Sequence, residues 1–297
     1  MLDAGINKLK GLGVAMVTPF KQDLSIDFDD LRKLTEYLIE NHVDYLVVMG
    51  TTGESVTLTN EEKHQVLETV KEVNEGRLPI VFGAGSNNTA QLVKSLKTMD
   101  LNGVYAILSV APYYNKPTQE GLYQHFVEVA NASPIPVVLY NVPGRTSSNI
   151  LPPTILKLAK HPNIIAVKEA SGNFDQFMEI IGNKPDDFLC ISGDDGITLP
   201  FIATGGDGVI SVLGNAYPKL FSEMVHKALI GKFNKARKLH YRLLPVIPML
   251  FSEGNPAGVK EIMKMMDICK NHVRLPLVTV SKGLKGDLAK EFERLIF

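Results

Sequence analysis

The sequence predicts an α/β protein, a (β/α)8 TIM barrel with a C-terminal helical extension. Three observations carry this. Eight short apolar runs, rich in valine and isoleucine and without polar alternation, read as strands buried on both faces of a parallel sheet. Between nearly all of them lie stretches whose apolar residues recur at three and four residues, the spacing of a helix. The strand-to-strand repeat is about 20–35 residues, so that eight units close near residue 230. An open doubly wound sheet is the competing architecture, but it usually has fewer strands and a glycine-rich first turn, and residues 12–20 hold no such turn.

The strand-like runs are residues 12–17, 45–49, 79–82, 104–110, 136–140, 164–167, 188–191 and 208–212. The first helix follows Asp27, with Leu31, Leu34 and Leu38 on one face. The second opens at Thr59 and Glu62, a capping box, and carries Val66, Val70 and Val73. Leu92, Leu96 and Met99 mark the third. Leu122, Phe126 and Val129 mark the fourth, after Thr118. Ile155 and Leu158 follow the Pro152-Pro153 start of the fifth, and Phe177, Ile180 and Ile181 mark a weaker sixth. From about Tyr217 the rhythm changes. Residues 233–250, 256–269 and 280–296 read as helices with no strand between them, forming the last barrel helix and an appendage. The expected division is a catalytic barrel over 1–230 and a helical extension over 231–297.

Composition narrows the class. With 297 residues the chain buries about three quarters of its unfolded surface and needs no covalent staples. Lys and Arg number 31 against 32 Asp and Glu, so the basic excess of a nucleic-acid binder is missing. Two cysteines, Cys190 and Cys269, cannot build a disulfide framework or a zinc site, which suits a reducing compartment. The seven histidines are scattered, with no HExxH, so no metal is expected. Residues 1–10 lack the apolar stretch of a signal peptide, and no run approaches the ~20 apolar residues that span a bilayer. A soluble, cytoplasmic protein is expected.

In such a barrel, chemistry sits where the strands end. The second run is followed by GTTGES (residues 50–55), the fourth by Pro112-Tyr113-Tyr114-Asn115. The fifth ends in Tyr140-Asn141-Val142-Pro143-Gly144-Arg145-Thr146, the sixth in Lys168-Glu169-Ala170, and the seventh in Ser192-Gly193-Asp194-Asp195. Lys168 is the sharpest candidate. At the mouth of an apolar strand its ammonium form is disfavoured, and a neutral amine condenses with ketones to a Schiff base. The competing reading pairs Lys168 with Glu169 or lets it snorkel to solvent. Tyr140, on the adjacent strand, is a phenol able to shuttle a proton to the carbinolamine, and Thr51 could link it to a second phenol, Tyr114. The guanidinium of Arg145 suits a substrate carboxylate. Asp194-Asp195 reads as a turn or helix cap rather than a metal site, and Gly205-Gly206-Asp207-Gly208 as a tight turn before the eighth strand rather than a phosphate cradle.

Together these segments resemble the dihydrodipicolinate synthase family, part of the pyruvate-dependent class I aldolase superfamily that includes N-acetylneuraminate lyase. Six strings match in order: GTTGES (50–55), PYYNKP (112–117), YNVPGRT (140–146), VKEA (167–170), SGDD (192–195) and GVISV (208–212). The match runs from Val17-Thr18-Pro19-Phe20 through Asn255-Pro256 and Val259-Lys260 to Arg274-Leu275-Pro276.

The resemblance implies an imine between Lys168 and pyruvate, whose enamine attacks L-aspartate 4-semialdehyde. It implies Tyr140 as proton donor, with Thr51 and with Tyr114 from a neighbouring subunit as its relay. Thr52 and the backbone at Ile210 would hold the pyruvate carboxylate, Gly193 would line the pocket, and Arg145 would meet the semialdehyde. No cofactor is implied, and the expected assembly is a homotetramer built as a dimer of dimers. A 2-keto-3-deoxy acid aldolase or an N-acetylneuraminate lyase-like enzyme of the same superfamily, or a catalytically silent ligand-binding barrel, are the alternatives. The Arg145-Thr146 pair and Thr51 favour the synthase over the aldolase. Members inhibited by lysine carry histidines at the positions of Asn60 and Lys63 and a glutamate at that of Gln91, although Ser55, Asn87 and Tyr113 match. Little lysine inhibition is therefore expected.

Overall fold

Eight parallel strands close on themselves in chain order, the last pairing with the first. They are β1 (Gly11–Ala15), β2 (Tyr45–Val48), β3 (Ile80–Gly83), β4 (Ala106–Val110), β5 (Val137–Asn141), β6 (Ile164–Glu169), β7 (Leu189–Ser192) and β8 (Gly208–Ser211). This is a computed structural model, and it describes residues 7–296. The strands alternate with α1 (Phe28–Glu40), α2 (Asn60–Asn74), α3 (Thr89–Thr98), α4 (Gln119–Ala132), the single turn α5 (Pro143–Thr146), α6 (Pro152–Leu158), α7 (Phe174–Asn183), α8 (Thr198–Ala203) and α9 (Pro218–Leu229). The extension holds α10 (Phe233–Leu243), α11 (Ala257–Met265) and α12 (Lys282–Ile296).

Alternation along each strand builds two cores. Ala15, Val47, Val81, Leu108, Val138, Ile191 and Ile210 fill the inside of the barrel, while Val14, Val48, Phe82, Val137 and Val167 pack outward against the helices. Both faces are apolar, and this explains the unbroken hydrophobic runs. Tyr45 lies inside at full burial, and a Cβ on Gly13 of the next strand would sit 2.1 Å from its ring. Gly208 takes φ 144, and a Cβ there would sit 2.1 Å from the Gly11 carbonyl oxygen, so the first position of this closing strand tolerates only glycine.

The helix starts follow local chemistry. Asp27 caps α1 on the backbone N–H of Asp30, and Thr59 and Glu62 form the reciprocal capping box of α2. Two helices escaped the sequence pattern. α8 has only six residues. α9 begins at Pro218, where the rhythm seemed to break, yet a proline at the first helical position is compatible with a helix start. Phe221, Met224, Val225 and Ala228 then bury at helical spacing, which makes α9, not the helix after Phe233, the last of the barrel. The stretch expected as one helix over 233–250 stops at Leu243, because Pro245 and Pro248 cannot donate to the helix ladder. Leu288 and Leu295 anchor α12 in the main core. Among the described residues no helix is long and apolar enough to cross a membrane.

Candidate active site

The C-terminal ends of β5 and β6 bring Tyr140 and Lys168 together as register partners. Both are buried, at 7% and 6% exposure, and the Lys168 Nζ lies 4.4 Å from the centroid of the Tyr140 ring. Lys168 does not pair with Glu169. Successive strand residues face opposite ways, so Lys168 enters the barrel while Glu169 enters the helix layer. There the Glu169 carboxylate accepts from the Ser171 backbone N–H at 2.7 Å, from Asn141 Nδ2 at 2.9 Å and from Gln176 Nε2 at 3.0 Å. Burial raises the Glu169 pKa, and these hydrogen bonds oppose the rise.

Gly193, just past β7, clears space for the lysine. A Cβ there would lie 2.6 Å from the Ala170 Cβ and 3.0 Å from the Lys168 Cε. Ile210 stands on β8 inside the same barrel cluster as Tyr140. Thr52, in the 3-10 turn Thr51–Gly53, is buried, and its Oγ1 accepts from Asn255 Nδ2 at 2.9 Å. The other amide atom, Asn255 Oδ1, is buried without a partner among the described residues.

Three expected site residues are exposed in the single chain. Thr51 is exposed and makes no hydrogen bond to Tyr140 or Tyr114 among the described residues. Tyr114 is 88% exposed at φ 74, with its backbone N–H on the Thr146 carbonyl. Arg145 is exposed on α5 and has no ion-pair partner among the described residues. One chain thus brings together Lys168, Tyr140, Gly193 and Ile210, buries Thr52 against Asn255, and leaves Thr51, Tyr114 and Arg145 exposed.

Several supporting contacts join residues that the sequence does not link. Glu54, which closes the 3-10 turn in the left-handed region at φ 53, is buried and accepts from Lys260 Nζ at 2.6 Å and from the Arg274 backbone N–H at 2.9 Å. The Arg274 guanidinium pairs with Glu62 at 2.6 Å. The extension thereby grips the loop that carries Thr51 and Thr52. Asp195 caps the turn after β8: its Oδ2 accepts from the backbone N–H groups of Val212 at 3.1 Å and Leu213 at 2.8 Å. Full burial pushes the Asp195 carboxyl up to about 6, against the pull of those hydrogen bonds. Asn215 joins β8 to β1, donating to Ala15 O at 2.8 Å and accepting from Val17 N at 3.1 Å. The signal for Lys260 was present, since a charge among apolar residues demands a partner, but nothing local named Glu54 as that partner.

The sequence pattern of the Dihydrodipicolinate synthetase family matches residues 8–295. The 4-hydroxy-tetrahydrodipicolinate synthase of Flavobacterium psychrophilum is 57% identical over 94% of this chain and 95% of its own. That of Parabacteroides distasonis is 53% identical over 93% of each. Among solved structures, the dihydrodipicolinate synthase of Acinetobacter baumannii complexed with pyruvate superposes with TM-score 0.94 at 36% identity, covering 97% of this chain and 99% of that one. A monomeric dihydrodipicolinate synthase variant superposes with TM-score 0.94 at 37% identity over 98% of each chain. On this match of pattern, identity and fold, the chain belongs to the dihydrodipicolinate synthetase family.

Proposed function

We propose that the protein condenses pyruvate with L-aspartate 4-semialdehyde to give 4-hydroxy-tetrahydrodipicolinate, a step of lysine and diaminopimelate biosynthesis. The observation that carries this reading is a lysine amine held inside the barrel mouth 4.4 Å from a phenol ring. The Lys168 amine adds to the ketone carbon of pyruvate, and loss of water leaves an imine. A proton lost from the methyl carbon gives the enamine, whose carbon attacks the aldehyde. The substrate's own amine then displaces Lys168 as the ring closes, and the enzyme amine is regenerated.

Tyr140 carries the proton to and from the carbinolamine, and a positioned general acid of this kind contributes about 10²–10⁴-fold. Thr51 and Tyr114 complete its relay, with Tyr114 supplied by a neighbouring subunit. The exposure of Tyr114 in a single chain, in a strained backbone conformation, suits a residue that works across an interface. Thr52 and the Ile210 backbone bind the pyruvate carboxylate, Gly193 leaves room for it, and Arg145 receives the semialdehyde carboxylate. The assembly is a homotetramer made of two such dimers, working in the cytoplasm. Residues 1–230 act as the catalytic unit and 231–297 as its brace.

Borohydride added with pyruvate should attach one reduced pyruvyl group, to the peptide containing Lys168, and a coupled assay should consume both substrates. An adduct elsewhere, or none, overturns the Schiff-base reading. Mixing Tyr114→Phe with Tyr140→Phe subunits should restore part of the activity, because one site of each mixed dimer then carries neither lesion. No recovery in confirmed mixed dimers removes Tyr114 from the neighbour's site.

A further inference from the structure

β6 holds one more residue than β5 between two rungs of their ladder. Val137 pairs with Ile164, but the next residue, Val138, pairs with Ala166. The extra residue is Ile165. Ile165 and Ala166 are consecutive, yet both join the apolar cluster inside the barrel. This is a bulge, a device that re-aims the side chains beyond it. Without it the count from Val137 would set Val167 opposite Tyr140. With it, Lys168 stands there, and Asn141 stands opposite Glu169.

Apolar packing alone distinguishes poorly between registers one residue apart, because β6 presents apolar residues on both faces. The rung beyond the pair is different. Asn141 Nδ2 reaches across the two strands to Glu169 Oε2 at 2.9 Å, and also to Asn149 Oδ1 at 2.8 Å. Gln176 Nε2 donates to the same Glu169 oxygen at 3.0 Å, and Asn149 Nδ2 donates to Gln176 Oε1 at 3.0 Å. Glu169, Asn141 and Gln176 are all buried. In the register without the bulge, Asn141 would lie opposite Lys168 and the carboxylate would lose its cross-strand donor. Leaving a buried carboxylate short of donors is costly, so the hydrogen bonds select the bulged register.

We propose that Glu169 is a positioning residue: held by Asn141 and Gln176 on the outside of the barrel wall, it locks the bulged register of β6 against β5 and so keeps Lys168 beside Tyr140. This rests on the Schiff-base reading for the roles of Lys168 and Tyr140.

The test is the rate at which pyruvate becomes trappable by borohydride at Lys168, measured on the full chain beside kcat and KM. Glu169→Gln keeps the size but offers one acceptor oxygen to donors that the carboxylate meets with two. It should slow trapping and kcat together by about ten- to a hundredfold, the cost of a misplacement near 1 Å, with the KM for pyruvate little changed. The double variant Glu169→Gln/Gln176→Glu returns a carboxylate to the same cluster and should recover most of the trapping rate. A Glu169 that merely stabilises the fold would lower the melting temperature and leave trapping by the folded protein unchanged, and that result overturns the proposal. Failure of the double variant to recover while it stays folded overturns it as well. If Glu169→Gln does not fold, Gln176→Ala decides. It removes one of the side-chain donors and should slow trapping by about two- to tenfold, whereas an unchanged rate overturns the proposal. Absence of any adduct in the parent protein overturns the Schiff-base reading together with the proposal. An adduct that forms in Glu169→Gln at the parent rate overturns the proposal alone.

Discussion

Two buried glutamates flank the barrel mouth and are satisfied in opposite ways. Glu54 has a cation: Lys260 Nζ sits 2.6 Å away, with the two side chains at 0% and 1% exposure. Lys260 also donates to the His272 carbonyl at 2.8 Å. Among the described residues Glu169 has only neutral donors, two side-chain amides and the backbone N–H and hydroxyl of Ser171. The first pair joins residues 206 apart and fastens the extension to the loop bearing Thr52. The second cluster joins neighbouring strands and their loops. Two charges withdrawn from water are tolerable only while both remain, whereas a carboxylate held by neutral donors depends on the geometry of those donors. Damage at Glu54 should therefore appear as lost stability, and damage at Glu169 as lost alignment.

The largest expected effect breaks the first half of this comparison. Lys260→Met leaves Glu54 buried without its cation and should destabilise the protein by ~3–5 kcal/mol, read as a lower urea midpoint at an unchanged slope. Adding Glu54→Gln should return part of that loss, since the uncompensated charge is gone. A double variant no more stable than Lys260→Met would mean that the lysine acts through packing alone.

A third buried carboxylate sharpens the contrast. Among the described residues Asp195 has neither a cation nor side-chain amides, only backbone N–H groups and the Ser211 hydroxyl, and burial raises its pKa in the folded protein to about 6. A raised folded pKa means that the native state keeps a proton, between about pH 4 and 6, that the unfolded chain has released. Its contribution to stability therefore falls as pH rises through that window. Asp195→Asn should be free of this term, so its stability relative to the parent should improve by up to ~3 kcal/mol between pH 4 and pH 7. Parallel stability curves over that range would contradict it.

Arg145 supplies the counterpart to Lys260, a cation that the fold leaves exposed and unpaired among the described residues. Arg145→Ala should leave the melting temperature nearly unchanged and raise the KM for the semialdehyde by about ten- to a hundredfold, the worth of a charge-assisted contact of ~1.5–3 kcal/mol. Trapping of pyruvate at Lys168 should survive. Equal losses with both substrates would make Arg145 structural instead. The smallest effect expected is that of added lysine. Gln91 offers no charge to an incoming ammonium group, and Lys63 on α2 is itself a half-buried cation. Titration with lysine should therefore inhibit weakly, and strong inhibition at submillimolar lysine would show that the ligand's amine finds another acceptor.

The barrel was legible because its signals are local. Each two-faced strand announces itself as an apolar run, and each cap, such as Thr59 with Glu62, lies within one helical turn. The site was legible as an ordered series of strand ends, and Tyr140 and Lys168 were recognisable as candidates before their distance was known. Asp194 makes the local turn expected of the Asp194-Asp195 pair, on the Gly196 N–H, whereas Asp195 reaches across to the loop after β8. What misled was also local: α9 was hidden by its opening proline, and the helix after Phe233 was drawn too long across Pro245 and Pro248.

The sequence by itself determined the eight βα units, the residues offered at each strand end and the face that each strand residue takes once the register is known. Register is not a local property. Whether Val167 or Lys168 meets Tyr140 depends on a single bulged residue, Ile165, and on a hydrogen bond between two strands that a helix separates along the chain. The pairing of Glu54 with Lys260 likewise exists only after the barrel closes and the extension folds back across its mouth. Tertiary structure decided both, because the energy of a buried polar group depends on which partners arrive within about 3 Å of it, and chain separation sets no limit on that.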